Sequence, residues 1–285
     1  MDELERAVSA RSGSPGLSVQ FEDQSTRTGL MGIARVSVRL PLFCLFLAVS
    51  SATLLLFCVV DRVRRRPVNR APFTRGFLTV LCRLLGFRIH IHGHPLEQPA
   101  LLVSNHVSWT DIAVLGSCSP VCFLAKREVR RWPLIGWVAQ QIGTVFIERS
   151  AGRTAEVRAQ IGSLLRQKQQ VIIFPEGTTT DGTAVRPFHR PLLAAAIEAC
   201  VPVQAITLAY RRNGAIDRIV PFVGEDAFQR HLPRVLSQRA LEVHVIFHPP
   251  VFAEAEDNPG RLAKTLHLQV SEGLGQLHKM IRTGS

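Results

Sequence analysis

The sequence predicts an α/β fold: a mixed, mostly parallel sheet covered by helices, with an N-terminal membrane-anchoring helix and an interfacial helix. Two observations carry this prediction. From residue 88 onward, short apolar strand-like segments alternate with helix-like segments, which is typical of strands joined by crossover helices. Before residue 88 lie one long uncharged apolar run and one shorter apolar segment interrupted by arginines. With 285 residues, 46% of them hydrophobic, the chain can bury a sizeable core.

The first element is the uninterrupted apolar run from Leu40 to Val60. At ~1.5 Å per residue, a helix of this length just crosses a hydrocarbon layer of roughly 30 Å. A cleaved signal peptide fits less well because the run is long and no small-x-small site follows it. A buried core helix would rarely be apolar on every side. We therefore expect a transmembrane helix here.

The shorter segment, Phe73 to Phe87, is broken by Arg75 and Arg83 and is expected to lie along the membrane surface as an interfacial helix. Residues 31–87 thus form the predicted membrane-anchoring region. Residues 1–30 are polar and aperiodic, so the sequence predicts a disordered tail. Met31, just before the basic and apolar segments, is a candidate translation start.

The net charge of +12 requires an anionic partner or environment. Eight arginines and no acid lie between Arg62 and Arg88, the heavier flank of the apolar run. By the positive-inside rule, this places the globular part in the cytoplasm and the anchor in the inner membrane. Such a cluster also attracts an anionic membrane surface, and beside a membrane span this interpretation is favoured over a merely solvated face.

Other classes of partner are poorly supported by the composition. The chain has one tyrosine and no basic–aromatic interleaving, helix-turn-helix or zinc-finger spacing, so no nucleic acid partner is expected. None of the six cysteines forms a C-x-x-C pair, which favours buried reduced thiols. His90, His92 and His94 share one strand face but have no Cys or carboxylate beside them, so no metal is expected.

Residues 88–285 form the predicted catalytic domain. Its expected strands cover 88–92, 100–103, 121–124, 144–147, 171–174, 203–208 and 241–247. Its expected helices begin at 112 or cover 132–141, 153–169, 191–200 and 261–281. Because functional loops in α/β folds follow the strands, the strand-to-helix junctions are the places to look for chemistry.

One junction, residues 103–111, carries a histidine and a carboxylate. His106 and Asp111 lie five residues apart, or roughly 500° along a helix, so they can meet only if His106 precedes the helix. Ser108 is a good N-cap, and Ser108 to Asp111 fits the S-x-x-D capping box, which by itself is a structural role. In that arrangement Asp111 would orient the imidazole as a base. No G-x-S-x-G elbow or nearby cysteine supplies a nucleophile, which suits a base acting on a substrate hydroxyl.

Two further junctions carry candidate anion ligands. The stretch from Val171 to Gly182 ends a strand in a loop with glycines and three threonines, which either binds an anion or is an ordinary turn. The stretch from Gly143 to Arg149 is a strand that delivers a cation at its end. An arginine at such a position is more often a surface charge.

Together these stretches resemble the glycerolipid acyltransferase family, of which bacterial 1-acylglycerol-3-phosphate acyltransferase is the best-known type. Asn105, His106 and Asp111 match its N-H-x4-D motif, and Gly143 to Arg149 match its second motif. Phe174 to Thr178 match F-P-E-G-T-R up to its last residue, and 201–206 match a fourth motif loosely. The motifs occur in family order.

The resemblance implies a reaction and the residues that carry it. His106, held by Asp111, would deprotonate the hydroxyl of a lysolipid, which attacks an acyl thioester of acyl carrier protein or coenzyme A. Arg149 and the loop of Glu176, Gly177 and Thr178 would hold the acceptor's anionic head group. Neither a metal nor another cofactor is implied. The favoured reaction converts 1-acylglycerol-3-phosphate to phosphatidic acid.

Two departures from the motifs leave the acceptor open. Thr179 replaces the arginine of the third motif, and Ala205 replaces the second proline of the fourth. Either Arg186 or Arg190 substitutes for the lost cation, or the acceptor is less anionic, such as lyso-ornithine lipid. The alternatives from other classes are a non-catalytic membrane lipid-binding protein and, from charge alone, a membrane-tethered nucleic-acid binder.

Overall fold

A computed structural model describes residues 29–132, 134–147, 153–252 and 258–283. The chain starts with two helices, α1 (Leu30–Arg64) and α2 (Ala71–Leu84). The other helices are α3 (Thr110–Cys118), α4 (Ile135–Gln141), α5 (Thr154–Arg166), α6 (Ala194–Glu198), α7 (Phe228–Leu236) and α8 (Pro259–Thr283). The strands are β1 (Phe87–His92), β2 (Leu101–Ser104), β3 (Cys122–Lys126), β4 (Val145–Ile147), β5 (Val171–Ile173), β6 (Val203–Arg212), β7 (Ala215–Ile216) and β8 (Leu241–Phe247).

Within the described residues, the strands form one sheet in the order β1-β8-β6-β2-β5-β3-β4, with β7 beside β6. The pairs β1–β8, β2–β5, β2–β6, β3–β4 and β3–β5 are parallel, and β6–β8 and β6–β7 are antiparallel. The predicted mixed, mostly parallel sheet is therefore confirmed. Because β2 and β5 run in the same direction, the loops that follow them meet at one edge of the sheet.

Helices cover both faces of the sheet. Alternate side chains of a strand point to opposite faces, and neighbouring residues of β2 accordingly belong to two different cores. Leu102 packs with Leu78 of α2 and Leu115 of α3 in one core. Leu101 packs with residues of α5 and α8 in the other. Residues of β2, buried on both sides, fix the position of the loop that begins at Asn105.

Among the described helices, α1 alone is long and apolar enough to cross a membrane. It extends the predicted run at both ends, covering 35 residues. One side packs on the domain, and the opposite side exposes large apolar residues along its length, among them Leu42, Leu45, Val49, Leu56 and Val59. The predicted tail, residues 1–30, lies outside the described residues apart from its last two.

Polar contacts fasten α1 to the domain near both of its ends. Arg39 donates to the carbonyl oxygens of Leu236 and Gln238 at 3.1 and 2.8 Å, and Arg35 donates to that of Ser237 at 3.1 Å. These carbonyls end α7, where cations are favoured by the helix dipole. At the other end, Arg70 pairs with Asp61 of α1 at 2.6 Å and donates to the side chain of Gln141 in α4 at 2.8 Å. Arg35 and Arg39 are thus engaged with protein.

Several boundaries differ from the sequence prediction. The interfacial segment is α2, which ends at Leu84, so Phe87 already belongs to β1. The helix expected at 132–141 begins only at Ile135, and a 3₁₀ turn at Arg127–Arg131 precedes it. The helix expected at 191–200 is a 3₁₀ turn at Arg190–Leu192 followed by the short α6. Helix α7 was not predicted. Its segment is short and contains Pro233, which is unfavourable inside a helix and argued against a helical assignment. Its buried residues include His231, Leu232 and Leu236.

Candidate active site

The loop after β2 brings His106 and Asp111 into contact. His106 Nδ1 lies 2.7 Å from Asp111 Oδ2, and the imidazole stacks on the ring of Phe174 with centroids 4.0 Å apart. The Asp111 side chain is fully buried, whereas that of His106 is 16% exposed. Nε2 of His106 has no hydrogen-bond partner among the described residues. This arrangement leaves one ring nitrogen free at the open edge of the sheet.

Asp111 is held by its own loop. The backbone amides of Val107 and Ser108 donate to Asp111 Oδ2 at 2.7 and 3.0 Å. The Ser108 amide donates to the Asp111 carboxylate, as the predicted capping box requires, but the Ser108 hydroxyl makes only a long contact, 3.5 Å, with the Thr110 amide. Helix α3 begins at Thr110, so its N-cap is Trp109, which makes no side-chain capping bond. The prediction of Ser108 as the N-cap was therefore wrong by one residue.

Asn105 ties the loop between β2 and α3 to the neighbouring strand β6. Its side-chain amide donates to the carbonyl oxygen of Leu208 at 2.9 Å, and its carbonyl oxygen accepts from the Leu208 amide at 2.8 Å. The side chain is buried and takes the place of one pair of backbone hydrogen bonds between neighbouring strands. It allows the chain to leave the sheet at Ser104 and still keep His106 in register with β6.

Glu176 is buried beneath His106 and turns away from solvent. Its Oε1 accepts from the His106 amide at 2.7 Å and its Oε2 from the Arg186 amide at 2.8 Å. Burial raises the pKa of this carboxyl above its ordinary value, and the two amide donors offset this rise only in part. Both oxygens are engaged and the residue is buried, so the structure does not favour its predicted contact with a head group. A carboxylate would also repel an anion.

Unlike Glu176, the other predicted head-group ligands that the structure describes are exposed. Gly177 and Thr178 are exposed in the loop that follows β5, and Gly177 has φ +71°, a conformation that favours glycine. Arg149 lies outside the described residues. The hydroxyl of Thr179, at the position of the motif arginine, donates to the carbonyl oxygen of Phe222. Arg186 and Arg190, the predicted substitutes, are both exposed.

Two buried residues of the site were not found by sequence reasoning. The hydroxyl of Tyr210 on β6 donates to Asp111 Oδ1 at 2.6 Å. His231 on α7 accepts a hydrogen bond from the indole of Trp109 at 3.0 Å, so its Nε2 carries the proton and faces the Ile219 carbonyl oxygen at 3.0 Å. Burial lowers the pKa of His231, which keeps it neutral in this role. Both residues come from distant segments, and no local pattern signals the contacts.

No group of three His, Cys, Asp or Glu side chains in the described parts of the chain is arranged to hold a metal. Two histidines of β1, His90 and His92, instead contact His244 of β8. His90 stacks on His244 with centroids 4.8 Å apart, and His92 Nε2 is 3.3 Å from His244 Nδ1. All six cysteines are free thiols; Cys82, Cys118 and Cys122 are buried, as expected, but Cys44 and Cys200 are exposed.

Comparisons with known proteins agree with this geometry. The model of the Acyltransferase family matches residues 88–209. A lyso-ornithine lipid O-acyltransferase of Pseudomonas aeruginosa is 43% identical over 66% of this chain and 73% of its own length. A 1-acyl-sn-glycerol-3-phosphate acyltransferase of Neisseria meningitidis is 33% identical over 68% of this chain and 76% of its own.

A solved structure shares the fold. The 1-acyl-sn-glycerophosphate acyltransferase of Thermotoga maritima superposes with a TM-score of 0.64 at 18% identity, over 88% of this chain and 98% of that one. The matched family region contains His106, Asp111, Glu176 and the loop between them. By the identity and coverage of its relatives, the chain belongs to the acyltransferase family.

Proposed function

We propose that this protein transfers a fatty acyl group from an acyl thioester to the free hydroxyl of a lysolipid. The observation that carries the proposal is the His106–Asp111 pair, with Nδ1 held by a buried carboxylate and Nε2 open. A carboxylate on Nδ1 fixes the tautomer that leaves a lone pair on Nε2. No nucleophilic side chain contacts the histidine among the described residues, so the hydroxyl that it activates comes from the acceptor.

The reaction follows from this geometry in one displacement. Nε2 of His106 takes the proton of the lysolipid hydroxyl, whose oxygen attacks the carbonyl carbon of the thioester. The tetrahedral intermediate then collapses, the C–S bond breaks, and the imidazolium returns the proton to the departing thiolate. General-base catalysis of this kind contributes typically 10²–10⁴-fold in rate. The mechanism forms no acyl-enzyme and uses no metal or other cofactor.

Lyso-ornithine lipid is the acceptor that we favour, with 1-acylglycerol-3-phosphate as the second candidate. The head group of lyso-ornithine lipid carries one carboxylate and one ammonium, whereas a phosphate monoester carries up to two negative charges. Thr179 removes a cation from the acceptor loop, and its hydroxyl is engaged by Phe222. The relative from Pseudomonas aeruginosa named above is also more similar to this chain than the phosphate-accepting one. Arg149, Gly177 and Thr178 are the proposed head-group ligands, whereas we assign Glu176 to positioning His106.

We propose the cytoplasmic face of the inner membrane as the place of action. The exposed apolar side of α1 and the lipid chemistry of the family indicate a membrane-associated protein. At the C-terminal end of α1, Arg62, Arg64, Arg65 and Arg66 are all exposed, so the available positive charge is on this flank. The proposed donor, acyl carrier protein or coenzyme A, supplies acyl thioesters from the cytoplasm.

The test is a transfer assay with the full chain in detergent or vesicles. Labelled acyl-carrier-protein and acyl-coenzyme A thioesters are each offered with lyso-ornithine lipid, 1-acylglycerol-3-phosphate and zwitterionic lysophospholipids. We expect transfer to lyso-ornithine lipid at the highest kcat/KM. A higher kcat/KM for 1-acylglycerol-3-phosphate would reverse the order of the two acceptors. No transfer to any acceptor from either donor would contradict the proposed function.

Replacing Thr179 by arginine tests the acceptor assignment. A guanidinium here can pair with a phosphate but gains less from a zwitterion. We expect the ratio of kcat/KM for 1-acylglycerol-3-phosphate over lyso-ornithine lipid to rise by about 10-fold or more, since a charged hydrogen bond contributes roughly 1.5–3 kcal/mol. Ala184→Arg, which adds the same charge at an exposed position of the same loop, is the control. An equal rise in both variants would show a general charge effect instead.

A further inference from the structure

Tyr210 is the only tyrosine of the chain, and its hydroxyl is buried against the catalytic carboxylate. The residue lies on β6, 99 positions from Asp111, and donates to Asp111 Oδ1 at 2.6 Å. The hydroxyl of Thr110 in turn donates to Tyr210 Oη at 3.0 Å. The direction of this chain is fixed, because the tyrosine oxygen accepts from Thr110 and its proton is directed at Asp111.

The two oxygens of Asp111 have different partners. Oδ2 receives three donors from its own loop, one of them Nδ1 of His106. Among the described residues, Tyr210 is the partner of Oδ1. The tyrosine therefore prevents the carboxylate from rotating and supplies the one hydrogen bond that reaches it from outside the catalytic loop. A buried carboxylate needs such donors to remain ionised.

The hydroxyl does more than fill space. The ring of Tyr210 packs edge-on against Phe87 at 5.9 Å between centroids, a contact that a phenylalanine would make equally well. Burial and the neighbouring charge of Asp111 raise the pKa of Tyr210 well above its ordinary value, so the donor keeps its proton throughout the physiological range. A hydroxyl buried without need would only add a desolvation cost.

We propose that Tyr210 is a positioning residue that keeps Asp111 ionised and oriented on His106, and thereby sets the pH at which the base becomes active. The proposal deepens, and for its kinetic part rests on, the proposed acyl transfer. The phenol shares the negative charge of the carboxylate. Without it, Asp111 would take up a proton more readily and would also hold the imidazolium proton more tightly. Both changes inactivate the base at low pH, so both move the acid limb of the activity profile to higher pH.

Tyr210→Phe is the variant that tests this role kinetically. We expect the acid limb of its pH profile of kcat/KM to move to higher pH by about 0.5–1 unit, the effect of one ordinary hydrogen bond. Phe87→Leu disturbs the packing of Tyr210 but keeps its hydroxyl, so its acid limb should stay in place. If Tyr210→Phe retains the acid limb of the parent while folded by circular dichroism, the proposal is wrong.

A second measurement needs neither activity nor the Tyr210→Phe variant. Because the chain has one tyrosine, the rise in absorbance at 295 nm with pH reports the ionisation of Tyr210 alone. We expect Asp111→Asn to lower the midpoint of this titration below those of the parent chain and of Asp217→Asn, another variant that loses a buried carboxylate, since the charge beside Tyr210 is removed only in Asp111→Asn. An unchanged midpoint would show that the two groups do not interact and would overturn the proposal. This result stands whether or not the protein transfers acyl groups, so the two proposals fail separately.

Discussion

His106→Ala is expected to lower kcat for acyl transfer by about 10³-fold, because no other described residue can take the proton of the acceptor hydroxyl at that position. The variant should stay folded, since the imidazole is partly exposed and the Asp111 carboxylate keeps its two backbone donors when the ring is removed. Steady-state kinetics with saturating donor and lysolipid measure the change.

The control for this variant is His94→Ala, which removes an exposed histidine and should retain the parent kcat. Binding to anionic vesicles should be equal in both variants. This comparison also addresses the non-catalytic interpretation of the chain. A lipid-binding protein without catalysis would show no transfer in the parent and no difference between the two variants. Transfer above about a tenth of the parent rate in His106→Ala would disprove the role of this residue as the base, since general-base catalysis contributes 10²–10⁴-fold.

Asp111→Asn is expected to reduce both activity and stability. The amide has one acceptor oxygen where the carboxylate has two, so its NH2 group must face one of the four donors around it. We expect kcat to fall by about 10³–10⁴-fold, because the orienting partner of His106 loses its charge and favours the wrong tautomer. The free energy of unfolding should fall by about 1–3 kcal/mol.

Asp217→Asn is a matched control for the loss of a buried carboxylate. Asp217 is 2% exposed and accepts from the amides of Ile219 and Val220 at 2.9 and 2.6 Å. Urea denaturation should show a stability loss of similar size, while kcat should change far less than in Asp111→Asn. If both variants lose activity equally, the effect of Asp111 is one of stability and not of catalysis.

The sequence best predicted those features that depend on residues close together in the chain. The spacing of His106 and Asp111 required the histidine to precede the helix, and the structure has that arrangement. The alternation of apolar segments also indicated the sheet and most of its strands. These features depend on periodicity and on the steric limits of one turn of chain, which a sequence records directly.

Contacts between residues that are distant in the sequence could not be predicted from it. Tyr210 reaches Asp111, and His231 reaches Trp109, through strand order and helix packing that no local pattern encodes. Glu176 was assigned to the substrate because the family resemblance implies that its motif holds the head group. Its side chain instead turns inward to the amides of His106 and Arg186. A residue's chemistry could be inferred from the sequence, but the direction of its side chain could not.

The loop that follows β5 is attached to His106, which limits how this enzyme can be re-engineered. Glu176 accepts from the amide of His106, and the Thr180 amide donates to the His106 carbonyl oxygen at 2.8 Å, so both peptide groups of His106 are held by this one loop. A chimera that exchanges only the exposed residues between these two anchors keeps the base in place. A graft that also replaces Glu176 or Thr180 changes the contacts that hold His106 as well as the loop surface. Exchanges confined to residues 177–179 therefore leave the position of His106 unchanged.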